Sequence, residues 1–316
     1  MRVLRGLVVT FSKPTRVLSR AHATLTQRSF AETFGQQNRK CPLCGFFQSG
    51  DLLSPVSRRG SAVGVNVRTM AAFGGRDDDF IFRQLLDYKS FTYTYLLADR
   101  TTSDAVLIDP VVEMVNRDMQ VVKDLGLNLI FAANTHVHAD HITGTGEIKK
   151  KLPGCKSMIA DVSGAKADVK LKHGDTIKFG KFELECRNTP GHTDGCMTFV
   201  WHQKSMVFTG DAILIRGCGR TDFQQGNPQN LYDSVHKQIL SLPRHFMLFP
   251  AHDYTGQTMT TVDEELKYNP RLSKPKSDFV KIMKELTLPY PKQIDKALPA
   301  NMVCGAYDLP AEATTN

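Results

Sequence analysis

One short run of the sequence, Thr135-His-Val-His-Ala-Asp-His, constrains the fold more than any other segment. It follows the apolar run 129–133 and places four potential metal ligands within six residues: His136, His138, Asp140 and His141. A helix would point His136 and His138 to opposite sides, whereas a loop at the end of a strand lets both turn inward. Polar groups this dense are costly to bury unless a metal or strong hydrogen bonds satisfy them. The run therefore predicts a metal site in a loop that follows a strand.

Three further potential ligands follow apolar, strand-like runs later in the chain: His192, Asp211 and His252. Every predicted ligand therefore lies in a loop at the end of a predicted strand, which is a common place for chemistry on a rigid sheet. Asp109, at a strand end before a proline, is predicted to be structural rather than catalytic. We interpret four histidines outside these runs as surface or helix residues: His173, His202, His236 and His245.

The 316 residues are 41% hydrophobic, enough for one sizeable core or two small ones. No apolar run approaches the roughly 20 residues that a membrane span requires. Alternating apolar residues predict a strand over 91–97 and a hairpin over 176–187. Short apolar runs predict strands over 105–108, 127–133, 197–201, 205–209 and 247–250. Helical spacing predicts helices over 111–125, 147–152, 227–242 and 274–286. Two sheets covered by helices fit this count, although periodicity does not give the topology.

The positive charge of the chain belongs to its N-terminus. The formal net charge is +8, and residues 1–69 hold 11 Lys or Arg against two acids. The remainder holds 29 basic and 30 acidic residues, which gives no electrostatic reason to expect nucleic acid or an anionic membrane as a partner. We therefore predict a boundary near Met70, between a low-order N-terminal segment (1–69) and a folded domain (70–316).

Residues 1–30 contain five arginines, scattered Ser and Thr and no acid, a composition typical of an organelle transit peptide. The alternative is a disordered basic tail. The mitochondrial matrix is the first expectation for the location and the plastid the second. Met70 is either the start of a shorter product or close to the processing site. Cys41 and Cys44 lack a second pair at zinc-ribbon spacing, and the other five cysteines are expected to be reduced thiols.

The order His-x-His-x-Asp-His, then His, Asp and His, resembles the metallo-β-lactamase superfamily over roughly residues 80–255. The resemblance implies an α+β fold, an αββα sandwich with the metal at one edge, for the catalytic domain 70–316. Two segments, Ile-Arg-Gly-Cys-Gly-Arg-Thr-Asp-Phe-Gln-Gln-Gly (215–226) and Pro-Ala-His-Asp-Tyr-Thr-Gly (250–256), resemble the persulfide dioxygenases, relatives of glyoxalase II. They imply a mitochondrial, homodimeric, non-haem Fe(II) enzyme that oxidises glutathione persulfide with O2 and water to sulfite and glutathione.

Carried over by position, the resemblance implies that His136, His192 and Asp211 hold one Fe(II) per chain. Four other residues occupy positions that complete a dinuclear zinc site in glyoxalase II: His138, Asp140, His141 and His252. In the dioxygenases, residues at these positions are expected to orient the ligands and handle protons. Since all seven are present, a glyoxalase II-type hydroxyacylglutathione hydrolase with two zinc ions is the alternative. The 64 residues after His252 look short for the helical glutathione-binding domain of that enzyme.

Four residues near these motifs are candidates for contacts with the substrate: Arg220, Tyr254, Thr193 and Cys218. The planar guanidinium of Arg220 suits a glutathione carboxylate, and its alternative is a solvated surface residue. Tyr254 and, more weakly, Thr193 are expected to lie close enough to hydrogen-bond the substrate, whereas a core tyrosine with a satisfied hydroxyl is the alternative for Tyr254. Cys218 either lines the pocket near the iron or is a small buried apolar residue.

Overall fold

Two six-stranded sheets form the centre of the structure, a computed structural model that describes residues 79–305. The strands of the first sheet lie side by side in chain order: β1 (Phe80–Asp87), β2 (Thr92–Asp99), β3 (Asp104–Ile108), β4 (Asn128–Ala133), β5 (Lys156–Ala160) and β6 (Val169–Leu171). Those of the second sheet do the same: β7 (Thr176–Phe179), β8 (Phe182–Asn188), β9 (Met197–Trp201), β10 (Met206–Gly210), β11 (Met247–Pro250) and β12 (Thr260–Thr261). The predictions for residues 1–69, Met70, Cys41 and Cys44 lie outside the described residues.

Large apolar side chains from both sheets fill the space between them. Strand β2 was predicted as an alternating strand, and all eight of its residues are buried. Its Tyr95 and Leu97 face the second sheet, and the ring of Tyr95 lies 5.0 Å from that of Phe208 and 5.8 Å from that of Phe249. Its opposite face packs under helices, so alternation here marks two different apolar layers rather than a core face and a solvent face.

Helices cover the outer face of each sheet. The first sheet is covered by α1 (Val115–Asp124) and α2 (Thr145–Lys151), and the second by α3 (Pro228–Gln238) and α5 (Lys276–Glu285). The chain also contains α4 (Val262–Tyr268), α6 (Ile294–Asn301) and short 3-10 turns at Val112–Met114, Asp161–Ser163 and His202–Lys204. These four layers confirm the predicted α+β fold and its αββα sandwich.

Within residues 79–305, no helix has the length and apolar character that crossing a bilayer requires. The five cysteines of the same range are all free, as expected for reduced thiols.

The predicted elements are present with shifted ends, as two of the helices illustrate. The predicted helix 111–125 begins as a 3-10 turn at Val112–Met114, and helix α1 itself begins only at Val115. Val111 is extended, and the N–H of Val112 donates to Ile142 O. The predicted helix 227–242 ends at Gln238. Its start is as expected: the side chain of Asn227 accepts from Asn230 N, with Pro228 in the first turn.

Strand directions bring the loops that carry the predicted ligands to one edge of the sandwich. In the first sheet, β3 and β4 are parallel, so their carboxyl ends meet. In the second, β8 and β10 both run antiparallel to β9, and β11 is parallel to β10. The N–H of Met197 donates to Thr135 O at 2.8 Å and joins the two sheets at this edge.

A buried carboxyl group on α1 gives the fold a pH dependence of its own. Oδ1 of Asp118 accepts from Arg117 Nε at 2.9 Å, whereas Oδ2 has no partner among the described residues. Burial raises the pKa of Asp118 to about 6, against the opposing charge of Arg117. Because the folded-state pKa lies above the unfolded value of 3.8, ionisation costs stability. The contribution is therefore present in acid and is lost as the pH rises through about 6.

Asp118→Asn should remove this ionisation. We expect its free energy of unfolding, relative to the unsubstituted chain, to rise by about 1 kcal/mol between pH 5 and pH 7.5. Urea unfolding at several pH values measures it, with the exposed Asp124→Asn on the same helix as the matched control. A difference between the Asp118 variant and the unsubstituted chain that is the same at every pH would contradict this account.

Candidate metal centre

Seven polar side chains converge at the edge where the strand ends meet. Four follow β4 in a segment that we call the histidine loop (residues 136–141), and three follow β8, β10 and β11 in turn: His192, Asp211 and His252. Six of them form two groups of three, and within each group the potential ligand atoms all lie within 4.8 Å of one another. The first group is His136, His192 and Asp211, and the second is His138, Asp140 and His252. His141 belongs to neither group, and its Nδ1 lies 3.1 Å from Asp140 Oδ2.

The orientation of His136 is set by a hydrogen-bond chain that starts at Asp109. The hydroxyl of Thr135 donates to Asp109 Oδ2 at 2.8 Å, so its oxygen is left to accept from Nδ1 of His136 at 3.0 Å. Nδ1 of His136 therefore carries the proton, and its Nε2 keeps the lone pair that a metal ligand needs.

His192 has the same tautomer for a different reason. Its Nδ1 lies 2.7 Å from the backbone carbonyl oxygen of Arg220, which can only accept, so Nδ1 donates. Nε2 of His192 lies 3.5 Å from Asp211 Oδ2. A Cβ atom at Gly219 would lie 2.8 Å from the His192 ring and 2.6 Å from Asp211 O, so this position has no room for a side chain.

His138 faces the opposite way from the other two imidazoles. Its Nε2 donates to Asp109 Oδ1 at 3.0 Å, and this leaves Nδ1 with the lone pair. The same carboxylate oxygen accepts from Thr135 N at 2.7 Å. Asp109 therefore orients both His136, through Thr135, and His138 directly.

The cluster fits a metal ion. Three of its buried ligand atoms have no hydrogen-bond partner among the described residues: Nδ1 of His138, Nε2 of His141 and Oδ1 of Asp211. Such atoms are costly to bury unless something completes their bonding. Burial, with a further effect of the neighbouring histidine, lowers the pKa of His136 and of His138 well below the ordinary value. Both imidazoles are therefore neutral near pH 7, as metal binding requires.

Asp140 and His252 form a charged pair beside the first group. Nε2 of His252 lies 3.6 Å from Asp140 Oδ2 and 3.7 Å from Asp211 Oδ1. Burial acts against both charges, but the attraction is larger. The two aspartates raise the pKa of His252, and His252 together with His141 holds the pKa of Asp140 well below its usual range. This pair can hold a proton next to the ligands.

Arg220, predicted to bind a substrate carboxylate, already has partners for its guanidinium group. Nε and Nη2 donate to the two carboxylate oxygens of Asp222 at 2.7 Å each, and Nη1 donates to Pro289 O at 2.9 Å. The guanidinium also lies 4.6 Å from the centre of the Phe223 ring. Arg220 contacts the cluster through its backbone carbonyl, which accepts from His192.

The other three predicted substrate residues have different surroundings. Tyr254 is 64% exposed, and its ring lies parallel to that of His252 at 6.2 Å, at the rim of the cluster. Thr193 is buried, and its hydroxyl contacts Cys196 Sγ at 3.1 Å. Cys218 is buried in the core on the helix side of the second sheet, where its thiol contacts Met283 Sδ at 3.7 Å.

Sequence reasoning missed several residues that hold the ligands in place. The motif gives no sign of what Thr135 does, and the sequence indicates a structural role for Asp109 without the contacts that explain it. The position of Asp109 at the end of a strand parallel to β4 was the signal that could have placed it beside the histidine loop. Asn301, on α6, also contacts this loop, and nothing in its local sequence indicates that contact.

Comparison with known proteins agrees with this geometry. The model of the metallo-beta-lactamase superfamily matches residues 88–252. The mitochondrial persulfide dioxygenase ETHE1 of Bos taurus is 54% identical over 252 residues, which cover 80% of this chain and 99% of that protein. The crystal structure of ETHE1 from Myxococcus xanthus superimposes with a TM-score of 0.69 at 47% identity, covering 71% of this chain and 99% of that chain.

The alternative suggested by the sequence has a more distant counterpart. A hydroxyacylglutathione hydrolase-like protein of Mus musculus is 33% identical over 168 residues, which cover 52% of this chain and 58% of that protein. The much higher identity to ETHE1 extends over nearly the whole length of that relative. The chain therefore belongs to the persulfide dioxygenase family of the metallo-β-lactamase superfamily.

Proposed function

We propose that this chain oxidises glutathione persulfide with O2 and water to glutathione and sulfite, using one Fe(II) held by His136, His192 and Asp211. One observation carries the choice of these three ligands. Both imidazoles have Nδ1 committed to an oxygen acceptor, so each offers Nε2 within the same group as the Asp211 carboxylate. Two histidines and one carboxylate are the donor set of non-haem Fe(II) oxygenases. The bound iron would supply the redox chemistry that couples O2 to a closed-shell sulfur, which zinc cannot do.

The overall reaction sets a task for the residues beside the ligands. Oxidation of one persulfide by O2 and water yields a thiol, sulfite and two protons, so proton acceptors are needed near the sulfur. We assign the relay of these protons to the ion pair of Asp140 and His252, in which His252 passes on the proton that it holds before it takes another, with His141 beside it. The hydroxyl of Thr92 lies within 3.4 Å of a side-chain atom of each of these three residues, and it bonds Ser90 at 2.7 Å. These hydroxyls offer the protons a route away from the cluster.

We propose that the persulfide group of the substrate lies at the cluster and that the peptide part of glutathione lies at its rim. Tyr254 supports this assignment because its exposed ring stands beside His252. Arg220 would bind a glutathione carboxylate only if its guanidinium gave up Asp222 as a partner. Its contact with His192 uses the backbone carbonyl instead. Roles for Thr193 and Cys218 in substrate binding remain predictions.

The cellular setting is also part of the proposal. The Bos taurus relative is named as mitochondrial, which supports a mitochondrial location for this chain, whereas the plastid has no support from it. The matrix, the transit peptide and the homodimer remain predictions from sequence and resemblance.

Removal of a proposed ligand should remove both metal and activity. For the unsubstituted chain we expect about one iron per chain, and oxygen uptake that depends on added persulfide and equals the sulfite formed. His136→Ala and Asp211→Ala should lose the iron and this uptake. Metal analysis and an oxygen electrode on anaerobically purified, Fe(II)-loaded protein measure both.

The matched control is His202→Ala, since His202 is a half-exposed histidine that pairs with Glu185 and belongs to neither group of potential ligands. It should keep both iron and uptake. Persulfide-dependent uptake by metal-free Asp211→Ala protein would overturn the assignment.

The second group of ligands, His138, Asp140 and His252, favours one competing function, a thiolester hydrolase with two zinc ions. We expect the zinc-loaded chain to cleave S-D-lactoylglutathione no faster than a His136→Ala control under anaerobic conditions. Thiol release followed by a colour reagent measures this reaction. Rapid anaerobic cleavage, without sulfite formation from persulfide in the iron-loaded chain, would replace the dioxygenase with the hydrolase.

A further inference from the structure

The amide of Asn301, at the end of α6, makes three hydrogen bonds to the chain of the metal site. Nδ2 donates to the backbone carbonyls of His138 and His141, at 2.8 Å each. Oδ1 accepts from Thr143 N, also at 2.8 Å. Asn301 is 4% exposed, so these are buried bonds that water does not replace readily. Both amide hydrogens of Asn301 therefore bond backbone carbonyls of potential ligand residues, His138 and His141.

Within residues 79–305, the backbone of the histidine loop has few other hydrogen-bond partners. It belongs to no helix or strand, so the regular ladders that fix most of the fold do not hold it. Outside the bonds from Asn301, the side chain of Gln224 donates to Val137 O at 2.7 Å, and Val112 N donates to Ile142 O just beyond the loop. Asn301 is thus the partner of two loop carbonyls, and both belong to histidines.

Helix α6 is itself held by buried side chains and backbone hydrogen bonds, so the position of the Asn301 amide is well fixed. Three of its apolar residues are buried: Ile294, Ala297 and Ala300. Met302 O accepts from Lys166 N at 2.8 Å. A Cβ atom at Gly305 would overlap the carbonyl oxygen of Thr143, which shows how closely the chain after α6 approaches the end of the histidine loop.

We propose that Asn301 is a positioning residue for the metal site. By fixing the loop backbone at His138 and His141, it helps to set where His136, the proposed ligand on the same loop, stands relative to His192 and Asp211 on the other sheet. The link to oxygen chemistry rests on the proposed function, but the effect on metal binding does not. Substitution of residues that orient metal ligands typically weakens metal binding by about 10- to 100-fold, and we expect that range here.

Two substitutions separate this role from general stability. Asn301→Asp keeps the size and the acceptor for Thr143 N but donates nothing to the two carbonyls. Asn301→Gln keeps the amide one methylene further out and should restore part of what the aspartate loses. Thr261→Ala, which removes the side-chain cap of α4 without touching the site, is the control for a loss of stability alone.

The measurements are the dissociation constant for Co2+ by chelator competition, the visible spectrum of the Co2+-loaded chain, kcat and KM for persulfide, and the melting temperature. For Asn301→Asp we expect weaker Co2+ binding within the stated range, an altered spectrum, and a fall in kcat larger than any change in KM. Thr261→Ala should lower the melting temperature only.

Unchanged Co2+ affinity and spectrum in Asn301→Asp would overturn the proposal, even if the variant melts earlier. The Co2+ measurements need no turnover, so they test the role of Asn301 independently of the proposed function. If the variants bind Co2+ as expected but the Fe(II)-loaded unsubstituted chain oxidises no persulfide, the proposed function is wrong and the role of Asn301 is still supported. If the aspartate variant does not fold, the same readouts on Asn301→Ala decide, because alanine also donates nothing to the two carbonyls. Weaker Co2+ binding with a changed spectrum would support the proposal, and unchanged binding with an unchanged spectrum would contradict it.

Discussion

The carboxylate of Asp109 is the interaction on which the metal site depends. It is buried, and burial raises its pKa although Thr135 and nearby histidines favour the charged form. Its carboxylate oxygens accept from the backbone N–H and the hydroxyl of Thr135 and from Nε2 of His138. These donors lie in the histidine loop or directly before it. The loop thus stabilises the carboxylate that orients it, and neither would hold its place without the other.

Much of the fold could be predicted because its strongest signals are local. The strands that precede the proposed ligands are short apolar runs, and the cap of α3 is set by neighbouring residues. Strands β1, β5, β6 and β12 and helices α4 and α6 were missed. Strand β5 pairs in parallel with β4 across an intervening helix, and β6 has only three residues, so the short sequence of either strand carries little information alone. The contact of Asn301 with His138 spans 163 residues and is invisible for the same reason.

Arg220 illustrates a limit of reading chemistry from side chains. Its guanidinium suggested a carboxylate of the substrate, yet in the structure it binds Asp222 and Pro289 and anchors the segment 215–226. That anchoring presents a backbone carbonyl to His192. Every residue has a carbonyl, so no residue type could have indicated this contact. Gly219 is the clearer signal, since it admits the His192 ring where any side chain would collide.

The proposed ligands come from both halves of the sandwich: His136 follows a strand of the first sheet, and His192 and Asp211 follow strands of the second. A bound ion would therefore act as a cross-link between halves that are otherwise joined mainly by apolar packing. Its binding free energy would add to the free energy of folding, in proportion to the logarithm of the free metal concentration. A cell short of metal would then hold less of the folded protein, and supply of the ion would govern abundance as well as turnover.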